Sequence, residues 1–284
     1  MALTFHTFKF LEKLKKENHF FGETLSIGRL NNLIKKDEFK KLKLDFSDDF
    51  FADRLLCNNF EITSLNALDY SSFEDADIIQ DLNKPIVNIE KKFDTILDFG
   101  TSEHVFDVSQ CLKNISNLCK KGGTIIHCLP ANNNCGHGFW QFSPELFFNI
   151  YSQKNGFNET EIILINLFDK KNWYLVNKQK KGDRLELNSS EPLYLLVKSK
   201  KVNESNYEDI NQSDYEHQWL NENNNYKIEK NFLNSSNKKI KEFFKSSLRY
   251  NLLTKEYYEK FESIKLHKKN NFKINKNLKK TLIE

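Results

Sequence analysis

The chain has 284 residues, 39% of them hydrophobic and 29% charged, which is enough apolar material for a core and too much for wholesale disorder. With 25 Phe against one Met the core should be rich in phenylalanine, while 4 Pro and 9 Gly argue against collagen-like, linker-dominated or turn-dense all-β designs. The formal charge of +4 is too mild for a dedicated nucleic-acid binder, and no apolar run approaches the roughly 18 residues of a transmembrane helix.

The opening stretch MALTFHTFKFLEKLKKENHF turns charged too early for the apolar part of a signal peptide, so a soluble cytoplasmic protein is expected. Residues 5–18 read as an amphipathic helix, with Phe8, Phe10, Leu11 and Leu14 set among lysines. The run Thr24 to Gly28 reads as a buried strand closed by a glycine, and residues 29–60 look helical with a polar break between Asp45 and Asp49. Further strands are expected at Glu61–Leu68, followed by Asp69, at Asp77–Asp81, and at Phe93–Asp98, which runs into Phe99-Gly100-Thr101.

The period then changes. Val105, Val108, Leu112, Ile115, Leu118 and Cys119 recur at three- and four-residue steps, predicting a helix over about 107–120 with Gly122-Gly123 as its stop. Thr124–Leu129 is a fifth strand. Ser143, Pro144 and Glu145 then supply the cap, first position and first-turn acid of another helix. Residues 161–167 and 193–197 are the last two of seven expected strands. From about 201 the chain turns rich in Asn and Lys, with helical pieces near 237–264 and many lysines over 265–284 that read as a frayed, solvated end. The expected organisation is one domain over 1–200, opened by an N-terminal helix within 1–21, and a helical segment over 201–284.

Strands alternating with helices indicate a doubly wound α/β fold: a mostly parallel, Rossmann-like, seven-stranded sheet with an antiparallel edge and a helical C-terminal appendage. Ligands of such sheets lie beyond the carboxyl ends of the strands, where strand order reverses. Function is therefore sought just after Ile27, Leu68, Leu97 and Leu129. The odd count of five cysteines favours reduced thiols. His127, Cys128, Cys135 and His137 come nearest to a metal-ligand set, but there is no CxxC pair and the first two should point to opposite faces of a strand. No metal is expected.

The segments FDTILDFGTSEHVFD (93–107) and LCKKGGTIIHCLP (118–130) carry Phe93, Asp94, Ile96, Glu103, His104, Val105, Asp107, Leu118, Lys120, Gly122 and Gly123. This pattern resembles the core of class I S-adenosylmethionine-dependent methyltransferases, with Lys121 where proline is usual. The likeness spreads over about 22–200 and is dense between about 61 and 157. The loop at 131–145 resembles methyltransferase-like proteins associated with surface-glycan synthesis. The resemblance implies S-adenosyl-L-methionine as cofactor, with Gly28 in the first loop, Asp69 at the ribose, Asp81 near the adenine and Asp98 at the methionine end. The first loop departs from the family: it has one glycine, where two or three and an acidic residue are usual.

Methyl transfer from a sulfonium is an in-line displacement, and positioning alone supplies about 7–11 kcal/mol in well-oriented cases. His104 stands where a general base would act, beside Glu103, which would orient it, and His137 lies in a glycine-flanked loop whose Phe139 and Trp140 would shape the acceptor pocket. The expected activity is methylation of an oxygen or nitrogen on a small-molecule or carbohydrate-like acceptor. No specific nucleic-acid partner is expected, because Asp98-Phe99-Gly100-Thr101 lacks the Asn/Asp-Pro-Pro-aromatic motif; a homo-oligomer is allowed. The alternative is a non-catalytic methyltransferase-fold scaffold or interaction module that has lost cofactor binding, which the sparse first loop supports.

Overall fold

Strand Ala2–Leu3 (β1) leads into helix Phe5–Lys16 (α1), whose start is fixed by a reciprocal cap. The Thr7 amide donates to the Thr4 hydroxyl at 3.3 Å and the Thr4 amide donates to Thr7 Oγ1 at 2.7 Å. Gly22–Ile27 (β2) follows. The stretch expected to be helical over 29–60 is instead divided into strand Asn31–Asn32 (β3) and helices Lys36–Leu42 (α2) and Asp53–Asn59 (α3). Its beginning is extended because β3 pairs in parallel with β1, Ala2 opposite Asn31 and Leu3 opposite Asn32. This computed structural model describes residues 1–178, 185, 189–205, 207, 210–212 and 278–282. The helical pieces expected at 237–264 lie outside the described residues.

Ile62–Asp69 (β4), Ile78–Ile79 (β5), Phe93–Asp98 (β6), Val108–Leu118 (α4) and Cys119–Pro130 (β7) complete the parallel half of the sheet. Because β7 starts where α4 ends, Gly122-Gly123 lies inside the strand and does not stop the helix. Gly122 has φ +87°, and a Cβ on Gly123 would sit 2.8 Å from the Asp94 carbonyl oxygen, so the pair lets β7 bulge past β6 where their register shifts. Ser143 caps Pro144–Ile150 (α5), accepting from the Leu146 amide. Phe157–Ile165 (β8), Asn172–Val176 (β9), Tyr194–Lys201 (β10) and Leu278–Leu282 (β11) follow and pair antiparallel.

The sheet order is β11-β9-β8-β10-β7-β6-β2-β4-β5, a doubly wound α/β sheet with an antiparallel end. It has nine strands among the described residues where seven were expected. β9 follows the charged turn Asp169-Lys170-Lys171, and β11 reads LKKTL, too basic to announce a strand. No helix of the described residues is long and apolar enough to cross a membrane.

The chain forms two units: Met1–Lys178 with Pro192–Gln212 and Lys276–Glu284, and Gln179–Glu191 with Ser213–Asn275. The core of the first is phenylalanine-rich. Phe8, Phe10, Leu11 and Leu14 of α1 join Phe21, Phe39, Leu56 and Phe60 in one buried cluster with Leu97, Ile126, Ile163 and Leu196 from the sheet. Phe60 packs at 5.2 Å from Phe8 and 5.1 Å from Phe21, ring centre to ring centre. The alternate residues Ile96, Ile125, Ile162 and Leu195 are also fully buried, and the two-residue period of a strand sets them on the opposite face. α4 contacts β6 and β7. A sheet covered on both faces leaves the carboxyl ends of its strands as the place where backbone groups and short loops meet solvent.

Candidate functional site

Strand β2 lies between β4 and β6, and here the strand order reverses. The turn after β2 is held by the Gly28 amide, which donates to the Leu68 carbonyl at 2.6 Å, and by Thr101 Oγ1, which donates to the Ile27 carbonyl. Gly28 has φ +74° and a Cβ there would fall 1.6 Å from Met1 Sδ, so glycine is required twice over. The crevice is therefore filled by a thioether. Met1 is held by its neighbours: the Ala2 amide donates to the Phe99 carbonyl at 3.0 Å and the Asn31 amide to the Met1 carbonyl at 3.2 Å. Gly100, with φ +103°, closes the other wall, where its Cβ would lie 3.5 Å from Met1 Cα. Arg29 turns elsewhere. It pairs with Asp53 at 2.8 Å, donates to the Glu74 carbonyl and stacks 4.0 Å from the Phe51 ring.

Of the residues expected to hold a cofactor, Asp69 stands at the tip of β4 beside Gly28, half-buried. Its carboxylate accepts from the adjacent Tyr70 amide at 2.6 Å, and no lysine or arginine of the described residues bridges to it. Asp81 follows β5 and organises a turn, accepting from the Asn83 amide at 3.0 Å and from Asn83 Nδ2 at 2.9 Å, with Lys84 at 3.2 Å. These Asn83 bonds, aided by Lys84, hold its carboxyl below the ordinary range. Asn83 Oδ1 in turn accepts from the Asp107 amide ahead of α4.

Asp98 is fully buried, and its carboxylate is taken up by protein partners. Its oxygens accept from the Thr101 and Ser102 amides, from Ser102 Oγ at 2.6 Å and from His127 Nδ1 at 2.8 Å. Burial alone would raise its pKa, but the hydrogen bonds from His127, Ser102 and Thr101 outweigh it and leave the carboxyl below the ordinary range. His127 Nε2 meets Tyr151 Oη at 2.6 Å. Burial pushes the Tyr151 phenol well above its ordinary value, so it keeps its proton and donates to that nitrogen. Asp98 thus fixes the loop that carries the next residues, and its part in the site is indirect.

Those residues form the 3₁₀ turn Ser102–His104. Glu103 is fully buried, yet its carboxylate has one side-chain partner, Oε1 to His137 Nε2 at 3.3 Å, and Oε2 has no hydrogen-bond partner among the described residues. Burial, reinforced by the charge of Asp98, pushes its carboxyl up to about 8. His104 and His137 are exposed, with ring centres 5.3 Å apart. Partial burial and the neighbouring His137 lower the pKa of His104, which favours its neutral imidazole. The carboxylate partner of Glu103 is therefore His137, where the sequence suggested His104.

His137 reaches Glu103 because the loop after β7 is fastened to the same turn. The Phe139 and Trp140 amides both donate to the Glu103 carbonyl, at 2.7 and 3.2 Å, and Trp140 Nε1 donates to the Val105 carbonyl at 2.9 Å. Gly138, at φ +73°, makes this docking possible, since a Cβ there would sit 2.8 Å from Glu103 Cγ and from its carbonyl oxygen. Phe106 and Phe139 project beside the cluster, 75% and 69% exposed, and form an aromatic rim. Sequence reasoning offered His127 only as a candidate metal ligand and gave no sign of its pairing with Asp98 and Tyr151, because a histidine inside an apolar strand carries no local mark of its partner. It also passed over Met1, whose signal would have been the parallel pairing of β1 with Asn31-Asn32.

No family model matches the chain, and no curated protein matches it in sequence. Among solved structures it is similar to the N-methyltransferase NodS from Bradyrhizobium japonicum WM9, with 12% identity over 70% of this chain and 97% of that one and a TM-score of 0.40. It is similar to a 1,6-didemethyltoxoflavin-N1-methyltransferase from Burkholderia thailandensis, with 11% identity, coverage of 69% and 77%, and a TM-score of 0.38. An S-adenosylmethionine-dependent methyltransferase from Clostridium acetobutylicum ATCC 824 gives 16% identity, coverage of 74% and 78%, and a TM-score of 0.29. Likenesses this loose leave the function to the chain's own geometry.

Proposed function

We propose that the chain is an S-adenosylmethionine-dependent methyltransferase that acts on an oxygen or nitrogen of a small-molecule or carbohydrate-like acceptor. The observation that carries this reading is the crevice at the reversal of strand order. It is walled by Gly28 and Gly100, it already accommodates a methionine side chain, and at one end stands Asp69, whose carboxylate is bridged by no lysine or arginine of the described residues. The cofactor's amino-acid portion is itself a methionine, so the space fits that group once Met1 withdraws. Asp69 would accept from the ribose hydroxyls, Gly28 and Gly100 would admit close backbone approach, and Asp81 acts by shaping the turn after β5. The group would supply an electrophilic methyl, and the chain's residues would align it and keep water out.

The acceptor side adjoins through Gly100, whose Cβ would lie 3.4 Å from Glu103 Oε1. There the Glu103, His104 and His137 cluster is suited to receive the acceptor's proton, and Phe106, Phe139 and Trp140 to cover a sugar or planar ring. A scaffold role is the second reading, favoured by Met1 itself: a crevice permanently filled would have no room for a cofactor. Isothermal titration with S-adenosylhomocysteine separates the two. The methyltransferase reading expects binding that Asp69→Ala weakens by about 1.5–3 kcal/mol, the worth of hydrogen bonds to a charged group. No binding to the folded chain transfers the case to the scaffold.

A further inference from the structure

We infer that Glu103, His104 and His137 hold a divalent transition-metal ion at the mouth of the crevice. Their ligand atoms all lie within 4.8 Å of one another, and they offer one carboxylate and two imidazoles with positions left open to solvent. This is the donor set of open zinc and non-haem iron sites. Glu103 Oε1 and His137 Nε2 are 3.3 Å apart, longer than the about 2.7–2.9 Å of a good charge-assisted hydrogen bond. With metal–ligand bonds of about 2.0–2.2 Å, 3.3 Å is close to the edge of a tetrahedral site.

A second observation points to a missing ligand. The Glu103 side chain is fully buried and its Oε2 has no hydrogen-bond partner among the described residues, whereas a buried carboxylate normally has its oxygens bonded. The site is also built. Two amides of the 137–140 loop are bonded to the Glu103 backbone itself, and only glycine at 138 permits that approach, so the third ligand is delivered on a segment locked to the first. His104 lies beside the pair, its ring centre 5.3 Å from that of His137. On the methyltransferase reading such an ion would bind an acceptor oxygen and ease loss of its proton to water, replacing direct proton transfer to the three side chains, but the site stands on those side chains alone.

The test uses the full chain, freed of metal with a chelator, with neither cofactor nor acceptor present. Titration with Co²⁺, followed by visible ligand-field absorption, should reveal a saturable site that Zn²⁺ empties. Even outer partners of a metal site are worth about 10–100-fold in affinity, so Glu103→Gln and His137→Ala should each weaken binding by at least that much. Cys135→Ser should bind as the wild type does. Should the two ligand variants fold poorly, a rise in the wild-type thermal midpoint with Zn²⁺, absent in the surface variant His104→Gln, carries the same information. The spectrum of the free aquo ion alone, unchanged affinity in both ligand variants, or loss of binding in Cys135→Ser overturns the inference. Because no cofactor is present, failure here leaves the methyltransferase reading standing, and failure to bind S-adenosylhomocysteine leaves the cation site standing.

Discussion

Two carboxylates five residues apart, at the end of β6 and in the turn beyond it, have opposite fates. Asp98 and Glu103 are both fully buried and each faces an imidazole, His127 for one and His137 for the other. Asp98 accepts four hydrogen bonds, and His127 passes the chain of bonds on to Tyr151. Glu103 makes one long contact to a histidine that is 47% exposed and leaves Oε2 unpartnered. A completed buried network rigidifies, while an incomplete one holds free energy that a ligand can recover. The difference therefore separates framework from site more sharply than residue type does, since both clusters are acid and imidazole.

The largest effect should come from breaking the inner network. Asp98→Ala strands the His127 Nδ1 proton, a hydroxyl and two amides, and losing one partner of such a buried pair costs about 3–5 kcal/mol. For a chain of this size that corresponds to a fall in thermal midpoint of roughly 10 °C, measured by calorimetry. Glu103→Gln, in metal-free buffer, should leave the midpoint unchanged or raise it, because it removes a carboxyl that burial already disfavours. Equal losses in both variants would erase the contrast between the two clusters.

A third buried imidazole sharpens it. His6 has no carboxylate bonded to it among the described residues, although the charges of Glu38 and Asp169 reach it; Trp173 Nε1 donates to its Nδ1 at 2.9 Å. Burial, helped by the charge of Lys170, lowers its pKa from 6.5 to about 4. The unfolded chain then binds this proton at a higher pH than the folded one does. The contribution is fully present above about pH 6.5 and is lost as pH falls toward 4. Linkage gives about 2 kcal/mol lost by pH 5 from this residue. Urea titrations at the two pH values should measure it, and His6→Gln, which keeps an acceptor for the indole, should remove that part of the slope. An unaltered slope in His6→Gln would mean that His6 is already charged in the folded chain.

The doubly wound order was legible because the parallel strands announce themselves as apolar runs, three of which close on Gly28, Asp69 and Asp98. That Glu103 and His104 stand in the turn beyond β6 could be read from their place after Phe93–Asp98. Less could be read where meaning depends on distant partners. Asp98 has the same letters around it whether it faces the crevice or the core, and only His127, 29 positions later, decides. His104 stood beside Glu103 in the chain, yet the turn points the carboxylate toward His137, brought in by a loop that Gly138 lets dock. Gly122-Gly123 looked like a helix stop because a bulge and a stop use the same residue for the same conformational reason.

The smallest effect concerns Met1, and it bears directly on which of the two readings of the crevice holds. Expelling a partly buried methionine forfeits apolar contact, and full burial of such a side chain is worth about 1.5–3 kcal/mol. If Met1 occupies the space that a cofactor's methionine portion needs, that cost is subtracted from the cofactor's affinity. A chain whose first residue is Ala2 loses the Met1 carbonyl that accepts from the Asn31 amide but keeps the Leu3 carbonyl that accepts from the Leu33 amide, and it has no thioether over Gly28. It should bind S-adenosylhomocysteine about tenfold more tightly than the chain with Met1, equivalent to about 1.4 kcal/mol. Gly28→Ala in the same background should abolish that gain, since its Cβ would enter the vacated space at a strained φ. Equal affinity with and without Met1 would mean that the ligand sits elsewhere along the strand ends, and the thioether would then be part of the crevice's permanent filling.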